Sequence, residues 1–143
     1  MDAPLHVLLI EDNDDDIELT RRAFARNHIL NELVVARDGA EASALLFSED
    51  REQLLPQFIL LDLKLPKISG LELLKEIRAN PRTALIPTVI LTSSKQDEDL
   101  IEGYRLGVNS YVRKPVDFNE FVEAVRQVGL YWLVINQPPP ADD

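Results

Sequence analysis

Phe58-Ile59-Leu60-Leu61-Asp62-Leu63-Lys64-Leu65-Pro66 is the stretch on which the reading of this chain turns. Four apolar residues run without interruption and then give way to an acid. A strand wetted on one face alternates apolar with polar, whereas an unbroken run suits a strand covered on both faces, as in a parallel sheet. Four comparable runs occur elsewhere: Leu5 to Ile10, Leu33 to Ala36, Thr88 to Thr92 and Ser110 to Val112. Each is short, rich in Val, Ile, Leu or an aromatic, and bounded by acids, Pro or Gly.

Segments of helical spacing separate the runs. Ile17, Leu19, Ala23 and Phe24 mark the first, and Ala40, Ala44, Leu45 and Phe47 the second. Leu71, Leu74 and Ile77 mark the third, after Ser69-Gly70. Leu100, Ile101, Tyr104 and Leu106 mark the fourth, ending at Gly107, a residue suited to a helix C-terminus. The fifth starts at Asp117, where Asp117 and Glu120 have capping-box spacing ahead of Phe118, Phe121, Val122 and Val125. Strand and helix alternating five times predicts an α/β, doubly wound, five-stranded parallel sheet.

The chain has 143 residues, which suits a single domain, and 45% of them are hydrophobic, enough for one core. It has no cysteine, which excludes disulfides and thiolate metal sites and fits a reducing, cytoplasmic setting. No long apolar segment argues for a membrane span, and Met1-Asp2-Ala3-Pro4 lacks the basic start of a signal peptide. A net charge of −10 disfavours nucleic acid and points to proteins or cations as partners. The domain is expected over 1–129, with a distinct arm over 130–143. There Leu130-Tyr131-Trp132-Leu133-Val134-Ile135 precedes Asn136-Gln137 and Pro138-Pro139-Pro140. Six consecutive apolar residues cannot all face one core, and the prolines cannot continue a helix. The arm either wedges into its own domain or buries Leu130, Tyr131, Trp132, Ile135, Pro138 and Pro139 against another chain.

In doubly wound folds, sites form beyond the carboxyl ends of the strands. Glu11-Asp12 follows the first run, Asp62 the third, Thr92-Ser93-Ser94 the fourth, and Arg113-Lys114-Pro115 the fifth. With the usual switch point beside the first strand, three carboxylates converge with hydroxyls and one ammonium. Such acids repel unless a cation joins them, and magnesium suits a few carboxylates, waters and a phosphate oxygen. Asp62 is placed to act as a nucleophile toward phosphorus, with Lys114 and Thr92 to neutralise charge on a phosphoryl group.

With these residues in place, the chain resembles the receiver domains of bacterial two-component response regulators, up to about residue 130. Leu9-Ile10-Glu11-Asp12, Leu61-Asp62-Leu63-Lys64-Leu65-Pro66 with Gly70, Leu91-Thr92-Ser93 and Tyr111-Val112-Arg113-Lys114-Pro115 carry the resemblance. It implies the flavodoxin-like receiver fold and phosphorylation of Asp62 by a histidine kinase. It further implies magnesium held by Glu11, Asp12, Asp62 and the Lys64 carbonyl, and a switch pair of Thr92 and Tyr111. Lys114 would pair with the phosphoryl group, Ser93 would lie beside it, and the bond to Pro115 would be cis. The segment Leu46 to Gln57, the start Ile10-Glu11-Asp12-Asn13 and the Trp132 to Pro140 tail resemble single-domain regulators of bacterial phytochrome kinases, which are often homodimers. The resemblance therefore implies a kinase partner, with a bacteriophytochrome as one candidate, a downstream phosphotransfer protein, and a homodimer. Its members are signalling proteins, not enzymes with turnover on a separate substrate.

Two positions depart from the broad family: Glu11 stands where aspartate is frequent, and Lys64 puts a charge two residues past the acceptor. Simpler readings also hold for several residues. Asp14, Asp15 and Asp16 suit a solvated helix N-terminus. His6 and His28 suit structural roles, Tyr111 a core aromatic, and Thr92 to Ser94 a capping loop. A haloacid-dehalogenase phosphatase would carry its nucleophile after the first strand and a second aspartate where Lys64 stands. No glycine-rich phosphate loop supports a nucleotide enzyme. A receiver-like adaptor that is never phosphorylated is the remaining rival.

Overall fold

The structure is a computed structural model that describes residues 6–47, 55–115 and 117–137. Five strands form one parallel sheet: β1 (His6–Ile10), β2 (Glu32–Ala36), β3 (Phe58–Leu61), β4 (Thr88–Thr92) and β5 (Ser110–Arg113). The helices between and after them are α1 (Asp14–Arg26), α2 (Gly39–Leu46), α3 (Gly70–Ala79), α4 (Asp97–Arg105) and α5 (Phe118–Leu130). The strand order is β2-β1-β3-β4-β5, so the chain reverses direction across the sheet between β1 and β3. This is the doubly wound sheet that the alternation of runs predicts.

Period-two geometry divides each strand between two cores. Val7, Leu9, Phe58, Leu60, Val89 and Leu91 pack with Ile17, Ala23 and Phe24 of α1 and Phe121 and Val125 of α5. Leu8, Ile10, Ile59, Leu61 and Ile90 face Ala42 and Leu46 of α2 and Leu73, Leu74 and Ile77 of α3. Both faces are covered, which is why the runs do not alternate apolar with polar residues.

Two helices present other faces than the spacing suggests. In α2 the buried residues are Gly39, Ala42 and Leu46, while Ala40 and Ala44 are exposed. A segment built mostly of small residues, Gly39-Ala40-Glu41-Ala42-Ser43-Ala44-Leu45-Leu46, offers little contrast from which to read a phase. In α4 only Gly103 is buried, and Ile101 and Tyr104 are exposed. The ends are legible: Asn13, Asp38, Ser69 and Asp117 each accept a backbone N–H in the first turn of α1, α2, α3 and α5, a contribution of about 1 kcal/mol apiece. Gly107 closes α4 in the left-handed region at φ 92°.

The described part of the tail packs in part on its own domain. α5 continues into a π-helical turn, Tyr131–Ile135, closed by the Asn136 amide on the Tyr131 carbonyl at 2.6 Å. Trp132 and Leu133 pack against the α1/α5 core, while Leu130, Tyr131, Val134 and Ile135 are exposed. Pro138 and Pro139, and the central part of the Leu46–Gln57 segment, lie outside the described residues. No helix among the described residues is long and apolar enough to cross a membrane.

Candidate functional site

Backbone hydrogen bonds carry the site residues to one edge of the sheet. The Glu11 amide donates to the Ala36 carbonyl at 3.0 Å, the Asp62 amide to Ile10 at 3.0 Å, and the Lys114 amide to Thr92 at 2.7 Å. Each side chain therefore begins where a strand stops, beside the reversal between β1 and β3. Gly70 lets this happen: a Cβ there would lie 2.4 Å from the Asp62 carbonyl oxygen and 2.7 Å from the Leu63 Cα. Only glycine allows the start of α3 to approach that backbone.

Lys114 is the hub. Its ammonium donates to Glu11 Oε1 at 2.6 Å, to Asp16 Oδ2 at 3.1 Å and to Asp62 Oδ2 at 3.3 Å. Glu11 and Asp62 are buried, at 2% and 6% exposure. Asp62 Oδ1 accepts the Thr92 hydroxyl at 3.0 Å and the Lys64 amide at 3.2 Å. Glu11, Asp16 and Asp62 offer carboxylate oxygens within 4.8 Å of one another, the one such group among the described residues.

Three carboxylates around one ammonium leave the site short of positive charge. Burial pushes the Glu11 carboxyl up to about 7, although Lys114 pulls it down. For Asp62, burial pushes upward, but the Lys114 charge, the hydrogen bond from Glu11, the Lys64 amide and the Thr92 hydroxyl together hold it below its ordinary value. Between the two acids, Glu11 keeps the proton and Asp62 stays ionised. Burial would lower Lys114, yet its bond to Glu11 and the charges of Asp62, Glu11 and Asp16 raise it, so it is firmly cationic.

Other expected residues take different places. The Asp12 side chain is exposed and stands outside the carboxylate group, whereas Asp16, assigned by its sequence context to a solvated helix end, belongs to it. Asn13 caps this turn by accepting the Asp16 amide at 3.0 Å, and the Asp16 carboxylate lies 3.1 Å from the Lys114 ammonium. Lys64 is exposed, and its ammonium lies 3.5 Å from the Ser93 hydroxyl, also exposed. Ser94, not Ser93, is buried beside Thr92. Tyr111 is half-buried, with its ring under Gly103 of α4, and burial raises its hydroxyl. The expected cis bond before Pro115 is not found: no cis peptide occurs among the described residues. The two isomers of an Xaa-Pro bond differ intrinsically by only about 0.5–1 kcal/mol, so sequence does not fix the choice.

Comparison with known proteins agrees with this geometry. The family described as "Response regulator receiver domain" matches residues 7–126. The chain belongs to the response regulator receiver family. Among curated relatives of this receiver, the probable methanogenesis regulatory protein FilR2 of Methanothrix harundinacea is 39% identical, covering 95% of this chain and 88% of its own. Response regulator Rcp1 of Synechocystis sp. is 37% identical, covering 91% and 90%. Among solved structures, the phosphorylated cyanobacterial phytochrome response regulator RcpA superposes with a TM-score of 0.89 at 36% identity, over 96% of this receiver and all (100%) of RcpA. The Mn(2+)-bound form of Rcp1 gives 0.86 at 37% identity over 96% and 100%. The bacteriophytochrome response regulator RtBRR gives 0.76 at 46% identity over 96% and 86%. The receiver resembles phytochrome response regulators and has the fold and family of a two-component signalling protein.

Proposed function

We propose that Asp62 is the phosphoacceptor of this receiver, loaded by a histidine kinase with magnesium as cofactor. One observation carries the reading: a buried, ionised carboxylate at the end of β3, with a hydroxyl at 3.0 Å, an ammonium at 3.3 Å and two further acids within 4.8 Å. An Asp62 oxygen attacks phosphorus, the phosphorus–nitrogen bond to the kinase histidine breaks, and the imidazole leaves with the electron pair. Lys114 and the Thr92 hydroxyl are placed to meet the charge on the transferred group, while the Lys64 amide holds the nucleophile's orientation.

The donor set fits a hard dication: carboxylate oxygens only, with one ammonium for three acids. Glu11, Asp62 and Asp16 would hold it, with Asp12 and the Lys64 carbonyl as the further ligands implied by family resemblance. When bound, magnesium supplies charge neutralisation to the acids and to the phosphoryl oxygens. Manganese in the Rcp1 structure supports a divalent ion at this kind of site.

Output is a change in association. The exposed Leu130, Tyr131, Val134 and Ile135 support a homodimer built through the arm, with Pro138 and Pro139 as its extension. The phytochrome regulators RcpA and RtBRR, by their likeness, support a bacteriophytochrome as the kinase, and membership of the receiver family is consistent with a cytoplasmic setting. A net charge of −10 disfavours nucleic acid as the target and leaves proteins, a downstream phosphotransfer protein among them. Incubation with acetyl phosphate and magnesium should add one phosphoryl mass to the protein and none to Asp62→Asn. An unmodified wild type that also fails to bind beryllium fluoride would support the unphosphorylated adaptor instead.

A further inference from the structure

The Lys114 ammonium has no donor to spare. It carries three N–H groups, and they reach Glu11, Asp16 and Asp62 at 2.6, 3.1 and 3.3 Å. A phosphoryl oxygen on Asp62 is met only if one of these bonds gives way. The Glu11 and Asp62 side chains are 3% and 8% exposed, whereas that of Asp16 is 36% exposed. Asp16 therefore lies on the side of the ammonium that opens to water.

The three acids stop being equivalent once the site is loaded. On the reading of Asp62 as acceptor, Asp62 carries the phosphoryl group and Glu11 faces the dication. Both then share their charge with new partners, and the dication repels the ammonium. A lysine is a strongly hydrated point charge on a flexible four-carbon stem, so nothing in its own structure keeps it in place. Asp16 supplies the hold: a carboxylate has two oxygens, and Oδ2 keeps the ammonium while Oδ1 is free to serve the ion or its water.

Asp16 also has a fixed position from which to do this. Its amide donates to Asn13 Oδ1 at 3.0 Å, and its carbonyl accepts the hydroxyl of Thr20, a buried residue, at 2.8 Å. The next residue, Ile17, is buried in the α1/α5 core. On the facing side, the Lys114 amide is held by the Thr92 carbonyl at 2.7 Å. Asp14 and Asp15, both exposed, already supply acids to the first turn of α1, and Asp14 pairs with Arg37.

We propose that Asp16 is a positioning residue, a tether that keeps the Lys114 ammonium over the acceptor when Glu11 and Asp62 are engaged elsewhere. Its effect on phosphorylation rests on the reading of Asp62 as acceptor; the tether itself is visible without a phosphoryl group. The test uses the full chain labelled with nitrogen-15 lysine, as wild type, Asp16→Ala and Asp16→Glu. The Lys114 ammonium signal, assigned by its absence from Lys114→Arg, is followed by proton–nitrogen NMR in saturating magnesium. Its hydrogens should exchange with water at least about tenfold faster in Asp16→Ala than in wild type, and Asp16→Glu should restore slow exchange. With acetyl phosphate at magnesium concentrations that saturate each form, Asp16→Ala should be modified at least about tenfold more slowly, and Asp16→Glu should recover most of the rate. Exchange in Asp16→Ala as slow as in wild type overturns the tether, even if the unfolding midpoint falls, because that outcome marks a helix-end role alone. A rate in Asp16→Ala equal to or above wild type also overturns it, as does a deficit that more magnesium abolishes, which marks a ligand of the ion only. A wild type that takes no phosphoryl group and binds no beryllium fluoride contradicts the acceptor reading, and the ammonium signal then decides the tether alone.

Discussion

Replacing Glu11 by Gln should change how the stability of the metal-free protein depends on pH. Glu11 is 2% exposed, and its carboxyl is raised from 4.5 to about 7, burial being the first cause. A carboxyl raised on folding holds a proton in the folded chain that the unfolded chain has already released. Stability is therefore fully present below about 4.5 and is lost as pH rises through about 7. At 1.36 kcal/mol per pKa unit the loss between pH 5 and 8 is on the order of 3 kcal/mol. Asp62, held below its ordinary 3.8, acts outside this window. His6, lowered by burial from 6.5, contributes with the opposite sign below that pH, so the readout must be the difference between the two chains. Gln cannot titrate and resembles the protonated acid in shape. Urea unfolding in chelator at pH 5, 6, 7 and 8 should show Glu11→Gln gaining on the wild type steadily, by about 3 kcal/mol overall. Parallel stability curves would refute the reasoning.

Four further outcomes follow from the site and the tail. Magnesium should raise the wild-type unfolding midpoint more at pH 8 than at pH 5, because an ion there displaces the Glu11 proton; equal shifts would place the ion elsewhere. Lys114→Ala leaves buried acids without their cation and should cost about 3–5 kcal/mol at pH 8, and less at pH 6, where Glu11 takes up a proton. Gly70→Ala should cost more than Gly39→Ala in thermal unfolding: its Cβ meets backbone at 2.4 Å, whereas at Gly39 the obstacle is the Cγ2 methyl of Ile68, a side-chain atom that a χ1 change can move. Ile135→Asp should leave the unfolding midpoint in place and reduce dimer mass in sedimentation, while Trp132→Ala should lower the midpoint because Trp132 packs on the α1/α5 core.

Much of this was legible because it depends on one-dimensional pattern. Unbroken apolar runs ending in an acid fix both the strands and the edge at which Asp62, Thr92 and Lys114 meet. What depends on helix phase or on loop direction was not legible. Asp16 sits in a run of three acids, and the phase of α1 puts it against Lys114 while Asp14 pairs with Arg37. Ser93 and Ser94 are the same residue type in succession, and the backbone after β4 decides which one is buried. The exposure of Ile101 and Tyr104 reverses a face that their spacing assigned to the core, because Gly103 brings α4 onto the sheet by its narrowest side. The π-helical turn explains how six apolar residues divide between core and solvent, a division no straight helical wheel predicts.

The most direct test of the central claim is to fix the chemical position of the phosphoryl group. Protein treated with acetyl phosphate and magnesium would be reduced with borohydride, digested and sequenced by mass spectrometry. An acyl phosphate on Asp62 predicts homoserine at position 62 and an intact aspartate there in the untreated sample. A phosphoryl group retained on Thr92, Ser93 or Ser94, with Asp62 unreduced, would contradict the account.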